Sequence, residues 1–225
     1  MQTYQNLELI LIDGYSKDKS LDILKDYSEK IKIKILKSKI PGVFPSINLG
    51  LQNVSGDIIF ILHADNFLDN EKVFENIVRE FSVLKLDILF TSISMIEKST
   101  NKNIRNYKAD NFKNWMIRIG HMPPHSGFFM KKEIINQIGY YDEKFKVASD
   151  FDYIVRIINS KKKFNIKYSN QVSAKVLVGG ISNTGFKSVI FNTLEQKKIL
   201  NKNKIYSNFL ILLFRIPLKI LQFFN

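Results

Sequence analysis

Apolar residues gather in short continuous runs near the start of the chain and in helical stripes further on. Leu7 to Ile12 (LELILI) runs straight into Asp13-Gly14, the pattern of a buried strand that ends in a loop. Ser16 or Asp18 can cap a helix from about Lys19 to Glu29, with Leu21, Leu24 and Tyr27 on one face. Ile31 to Leu36 alternates isoleucine with lysine, as a half-exposed strand does. Pro41-Gly42 opens a loop, and Ser46 to Gln52 suits a short helix. Asp57 to Leu62 (DIIFIL) is a second buried run, ending at His63-Ala64-Asp65-Asn66.

The pattern continues with an amphipathic helix over Glu71 to Leu84 and a strand over Leu86 to Met95. Thr100 to Asn114 is polar and without period, so it reads as a loop. Met122 to Met130 reads as a loop entering a strand, and Lys132 to Ile138 as a helix closed by Gly139. Ser149 to Ser160 forms a helix with Phe151, Ile154, Val155 and Ile158 inward. Ile166 to Val178 alternates weakly, and a helical region follows from about Phe186. Strands and helices in this order predict an α/β domain with a mostly parallel sheet flanked by helices. Residues 1–182 would form that domain, and 183–225 a helical amphipathic appendage. Ligands of such sheets lie at the carboxyl ends of the strands, where Asp13 and Asp65 both fall.

Composition changes the picture in two places. There is no cysteine, which removes disulfides, thiolate nucleophiles and cysteine zinc sites together. The net charge of +13 suggests a polyanionic partner, and it is uneven: no acidic residue follows Glu195, while Lys197, Lys198, Lys202, Lys204, Arg215 and Lys219 do. The polar opening Met1 to Asn6 has none of the features of a signal peptide. No stretch reaches the ~20 apolar residues of a membrane-spanning helix.

A carboxylate just past a strand has a plain role as turn residue or helix cap. A collinear set of segments is more specific. Asn6 to Leu21, with its strand and then Asp13-Gly14-Tyr15-Ser16-Lys17-Asp18, resembles a strand followed by "DGGSTDGT". Gly42 to Leu51 resembles "GIYDAMNKGI", and Ser55 to Asn66 resembles "TGDIIGFLNSDD". Pro124 to Lys132 resembles "HQSVFVRK". Gly139 to Phe145 with Ala148 to Arg156 resembles "GLFDEDFKIASDYDLLLR", and Gly179 to Ser182 matches "GGIS". Together they are similar to the inverting glycosyltransferases of family 2, of the bacterial surface-polysaccharide type, with the GT-A fold.

That resemblance implies the following. Asp13 pairs with the base of the nucleotide, with Asn48 beside it. Asp65 sits by the diphosphate or sugar as the family's DxD-type residue, and His125 either lines the acceptor side or fills a structural role with its hydrogen bonds satisfied. Asp150 is the general base, the alternative being a carboxylate that only caps its helix, and Asp152 is structural, within reach of Arg156 one turn on. The chemistry agrees. Transfer from a nucleoside diphosphate sugar needs the leaving diphosphate neutralised and a carboxylate to take the acceptor's proton. Three departures stand out. Asn66 occupies the place of the usual metal-binding aspartate; an amide oxygen holds Mg2+ or Mn2+ more weakly, so a metal at Asp65 and Asn66 is doubtful. Pro45 stands where similar chains carry Asp. The pattern's first strand, TYN-type loop and helix have no counterpart, which predicts a start further upstream or a fragment.

Phe209 to Phe224 (FLILLFRIPLKILQFF) is apolar apart from Arg215, Lys219 and Gln222, which fall at i, i+4 and i+7 on one narrow stripe. With the lysines upstream, this predicts an anchor on an anionic cytoplasmic membrane face; the alternative is a helix packed on the domain's own core. It suits a lipid-linked or saccharide acceptor in polysaccharide or lipopolysaccharide assembly. Two other readings are an inactive remnant of such an enzyme and, from charge alone, a nucleic-acid binder. No nucleic-acid motif supports the second, so no nucleic-acid partner is expected.

Overall fold

The computed structural model describes residues 2–14, 16, 18–20, 22–23, 33–178 and 185–215. Most of the expected helix from Lys19, the Gly179 to Ser182 segment, Lys219 and Gln222 lie outside the described residues. At the start of that helix, Asp18 accepts a hydrogen bond from the Ser20 N–H at 3.0 Å, as a cap does.

Strand β1 (Leu9–Asp13) pairs in parallel with β2 (Ile33–Lys37). Helix α1 (Val43–Asn53) follows, then β3 (Ile58–Phe60), β4 (Asn66–Leu68) and helix α2 (Val73–Leu84). Next come β5 (Ile88–Ile96), β6 (Asn103–Tyr107), β7 (Phe128–Lys131), the short helix α3 (Glu133–Ile138) and α4 (Ser149–Ile158). Strand β8 (Ile166–Leu177) and helices α5 (Gly185–Lys202) and α6 (Phe209–Leu213) complete the described chain.

Strands β3 to β8 form a second sheet, ordered β3-β7-β5-β8-β4, with β6 also on β5. The α/β layering is as expected, but the larger sheet is mixed. Only β5 and β8 run parallel in it; β3/β7, β5/β7, β5/β6 and β4/β8 are antiparallel. Strands β6 and β7 run the same way along β5, β6 against Ile93–Ile96 and β7 against Ile88–Phe90, so the excursion between them returns the chain to β5 without a change of direction. Strand β6 lies inside the segment expected to be a loop. Its residues NIRNY have no apolar alternation, yet they pair with the edge of β5 beyond β7. Main-chain pairing supplied what side-chain pattern did not.

Strand β1 also differs from expectation. Its run of apolar residues reads as buried, but Leu7 and Leu9 are almost half exposed, because a two-stranded sheet leaves an edge and parts of both faces open. The two sheets are tied by Glu8, whose carboxylate accepts from the Ser55 N–H at 2.8 Å, its hydroxyl at 2.9 Å and the Gly56 N–H at 3.3 Å.

The core follows from helical spacing. Val73, Ile77 and Phe81 of α2 recur every fourth residue and pack on Leu86, Leu89 and Phe129. The helix stops at Lys85, in the left-handed region at φ 51°, whose N–H returns to the Phe81 carbonyl. Helix α4 is buried almost all round. Tyr153, Ile154 and Ile157 enter one apolar cluster with Phe90 and Phe128; Phe151 and Val155 enter another with Ile199 and Leu200 of α5 and Leu212 of α6. Arg215, expected on a polar stripe, is instead buried against α5. Its guanidinium donates to Thr193 Oγ1 at 2.8 Å, to Gln196 Oε1 and to Asn192 Oδ1 at 3.4 Å. Hydrogen bonding on three sides lets the cation leave water.

Candidate functional site

Asp13 closes β1 with a buried carboxylate, and its Oδ1 accepts from the Ser16 N–H at 3.0 Å in an Asx-type turn. Helix α1 stands beside it. A Cβ on Gly14 would lie 3.5 Å from Ser46 Oγ, and one on Gly50 3.6 Å from Ile12 Cγ1. The opposite face of α1 carries Phe44, Asn48 and Leu51, spaced i, i+4, i+7, and turns toward the loop that precedes α4. Phe44 stacks on Tyr141 with ring centroids 5.9 Å apart. Asn48 Nδ2 donates to the Tyr141 carbonyl at 2.9 Å and to Glu143 Oε1 at 2.8 Å, while its Oδ1 accepts from the Tyr141 N–H at 2.9 Å. Three of the roughly four hydrogen bonds an amide can make are therefore taken. Asn48, expected beside the nucleotide, bonds α1 to that loop through these three hydrogen bonds.

Beyond β3 the chain passes through His63, Asp65 and Asn66. The His63 ring lies 5.7 Å from that of His125, which sits in the turn entering β7. His125 Nε2 is 2.7 Å from Tyr141 Oη. Burial, with His63 adding to it, pushes the His125 imidazole down to about 3, so it is neutral at neutral pH. Burial lowers His63 as well, opposed by the negative charge of Asp65. Asp150, half-buried, opens α4 with its Oδ1 accepting from the Phe151 N–H at 2.7 Å. Its charge reaches Tyr107 and Tyr141, both of which burial foremost holds well above the ordinary tyrosine range. Both phenols stay protonated, and Tyr107 donates to the Met122 carbonyl.

His63, His125 and Tyr141 thus form one polar seam, with the charge of Asp65 acting on its His63 end and that of Asp150 on its Tyr141 end, and Asn48 bracing the Tyr141 backbone. Asp13 stands across α1 from it. Sequence reasoning did not single out His63, Tyr107 or Tyr141. Tyr141 and His63 lie within motifs already recognised, so their positions were available as a signal; Tyr107 lies in the segment read as patternless. Asp152 is structural, as expected. It is fully buried, bonded by Arg156 Nε at 2.7 Å and by Lys202 Nζ at 3.2 Å. Asn66 is 6% exposed, and neither of its amide atoms has a hydrogen-bond partner among the described residues. No cluster of three or more His, Asp or Glu able to hold a metal occurs among the described residues.

The sequence pattern of Glycosyl transferase family 2 matches residues 1–149, about two thirds of the chain. The chain belongs to that family. The match stops one residue short of Asp150. Among relatives of this family-2 chain, the minor teichoic acid biosynthesis protein GgaB of Bacillus subtilis is 31% identical over 172 residues, 72% of this chain and 19% of the relative. An uncharacterized glycosyltransferase of Haemophilus influenzae is 40% identical over 74 residues, 32% of this chain and 30% of the relative. This chain therefore spans under a third of either relative. In fold it is similar to the S. aureus TarS 1-349 structure with UDP-GlcNAc, at TM-score 0.66 and 13% identity, covering 90% of this chain and 64% of the other. The mannosyltransferase PcManGT from Pyrobaculum calidifontis, solved with GDP-Man and Mn2+, superposes at TM-score 0.61 and 15% identity, covering 89% of this chain and 56% of the other. The GT-A-like α/β fold expected from the sequence is therefore the fold observed.

Proposed function

We propose that this chain transfers a sugar from a nucleoside diphosphate sugar to a saccharide or lipid-linked acceptor in cell-surface polysaccharide assembly, with inversion at the anomeric carbon. The observation that carries this reading is the polar seam of His63, His125 and Tyr141, with the charge of Asp65 acting on one end and that of Asp150 on the other. Asp13 holds the nucleobase through its buried carboxylate, and Asp65 faces the diphosphate side. His125, neutral and bonded to Tyr141, lines the acceptor side. Asp150 takes the proton of the acceptor hydroxyl as its oxygen attacks the anomeric carbon. The bond from that carbon to the diphosphate oxygen breaks, and the nucleoside diphosphate leaves with the electron pair.

A divalent cation fits this donor set in part. The half-buried Asp65 carboxylate and the unpartnered amide of Asn66 are adjacent hard-oxygen donors, which suits Mg2+ or Mn2+ only if diphosphate oxygens and water complete the shell. When bound, such an ion would neutralise charge on the leaving diphosphate. The exposed Tyr206, Leu210 and Phe214, flanked by Lys198 and Lys204, support a peripheral seat on an anionic cytoplasmic leaflet. Among the described residues no helix is long and apolar enough to cross a membrane.

The test separates the donor side from the base. UDP release from UDP-N-acetylglucosamine and other UDP-sugars is measured with teichoic acid or lipid-linked saccharide as acceptor, and UDP binding by calorimetry. Asp150→Asn should cut turnover by ~10²–10⁴-fold and leave UDP affinity intact. Asp13→Ala should weaken UDP binding by ~1.5–3 kcal/mol, the worth of a hydrogen bond to a charged group. Near-normal turnover by Asp150→Asn refutes the base. Turnover by no form of the chain favours an inactive remnant.

A further inference from the structure

We infer that Glu195 on α5 is a positioning residue for the Asp150 carboxylate, acting through the loop that delivers Asp150 to the site; this rests on reading Asp150 as the base. Glu195 is 6% exposed. Its Oε1 accepts from the Lys146 N–H at 2.9 Å, and its Oε2 from the Val147 N–H at 3.0 Å and the Ala148 N–H at 2.9 Å. Three consecutive main-chain donors converge on one buried carboxylate. Such charge-assisted bonds are short and directional, so they fix the backbone rather than merely touch it.

The place of these donors gives the clamp its consequence. Ala148 is the residue before α4, and Asp150 is the second residue of that helix. The Asp150 carboxylate is itself oriented by the neighbouring Phe151 N–H. Any movement of the 146–148 backbone therefore carries the carboxylate with it. The negative charge also faces the start of α4, where a helix favours it. Lys202, two turns along α5, grips the same segment by bonding Asp142 at 2.9 Å and Asp152 at 3.2 Å. That lysine side chain is 46% exposed, where an ion pair contributes little. Glu195 works from the interior and on main chain, so it sets the loop. A base must come within ~2.6–3.2 Å of the acceptor hydroxyl, and a displacement of about 1 Å can cost on the order of 10²-fold in rate. Glu195 lies beyond the part of the chain that the family pattern matches.

The experiment is a double-mutant cycle in the full chain, reading UDP release and UDP affinity. Glu195→Gln keeps the shape of the side chain but puts an N–H where an acceptor was. It should lower kcat by roughly 10–10²-fold with UDP affinity within about twofold. Added to Asp150→Asn, it should lower turnover no further, because a positioning residue has nothing left to position. Glu195→Asp, which keeps the charge on a shorter arm, should lie between. If Asp150→Asn alone retains turnover, the reading of the base fails. If Asp150→Asn cuts turnover as expected while Glu195→Gln leaves kcat unchanged, or lowers the residual turnover of Asp150→Asn by as large a factor as it lowers the parent's, only the clamp is overturned. Amide exchange decides the clamp should Glu195→Gln not fold or no donor be turned over. In the unaltered protein the N–H groups of residues 146–148 must exchange as slowly as those of α4, and exchange at the rate of open loops overturns it.

Discussion

Acidification should weaken this fold through His125, and the size of the effect follows from its surroundings. The unfolded chain's histidine titrates near ~6.5. In the folded protein the imidazole is pushed down to about 3 by burial, with His63 adding to the effect. The folded value of this base is depressed, so between the two values the unfolded chain binds a proton that the native state refuses. Stability is then complete above ~6.5 and declines as pH falls toward the folded value, by about 1.4 kcal/mol for each pH unit. From about pH 7 to about pH 5 the loss comes to roughly 2 kcal/mol, an upper figure because the ring keeps some contact with solvent. The charged and titratable groups near it are His63, Asp65 behind His63, and Tyr141, which remains protonated throughout. His125→Gln retains an amide able to bond Tyr141 Oη but cannot titrate. Urea unfolding of both proteins at the two pH values reads the difference directly, since every group outside the seam titrates alike in each. The unaltered protein should lose about 2 kcal/mol more than the variant over that interval. Equal losses would mean that His125 accepts its proton without resistance, and the neutral seam would be refuted.

Gly127→Ala should destabilise the protein by about 1–3 kcal/mol or more, because the new Cβ would lie 2.3 Å from the Thr91 carbonyl oxygen and 2.6 Å from Thr91 Oγ1. Thr91 cannot retreat: β5 holds its backbone, and its hydroxyl is bonded to Ser173 at 2.6 Å. An unfolding midpoint unchanged from the parent would show that the turn carrying His125 is looser than described. Replacing Leu210 and Phe214 by serine should release the protein from phosphatidylserine vesicles. Both side chains are well exposed, at 71% and 65%, so folding should not change. Cosedimentation equal to the parent's, or insensitive to salt, would remove the membrane seat.

Local pattern made the helices legible. Val73, Ile77 and Phe81 repeat with the helical period, and Phe151, Ile154 and Val155 do likewise, because burial of a helix face is written in its own residues. Asp65, His125 and Asp150 were legible for a different reason: each sits within a motif whose order along the chain is specific. What the sequence by itself determined was therefore the family and most of the helices and strands, and it nominated the carboxylates of the proposed site. The tertiary structure alone decided the partners. Strand β6 forms because β5 offers an unpaired edge, which no property of NIRNY foretells. Leu7 and Leu9 remain exposed because strand pairing, not hydrophobicity, decides which runs become central. Asn48 is held by three hydrogen bonds to a loop more than 90 residues away, and Arg215 is drawn inward by hydrogen-bond acceptors on α5. Glu195 is the plainest case. In the sequence it is merely the last acidic residue before a basic tail, since a carboxylate's role is set by the donors that surround it. Those donors, at Lys146, Val147 and Ala148, come within reach only once α5 has packed against α4.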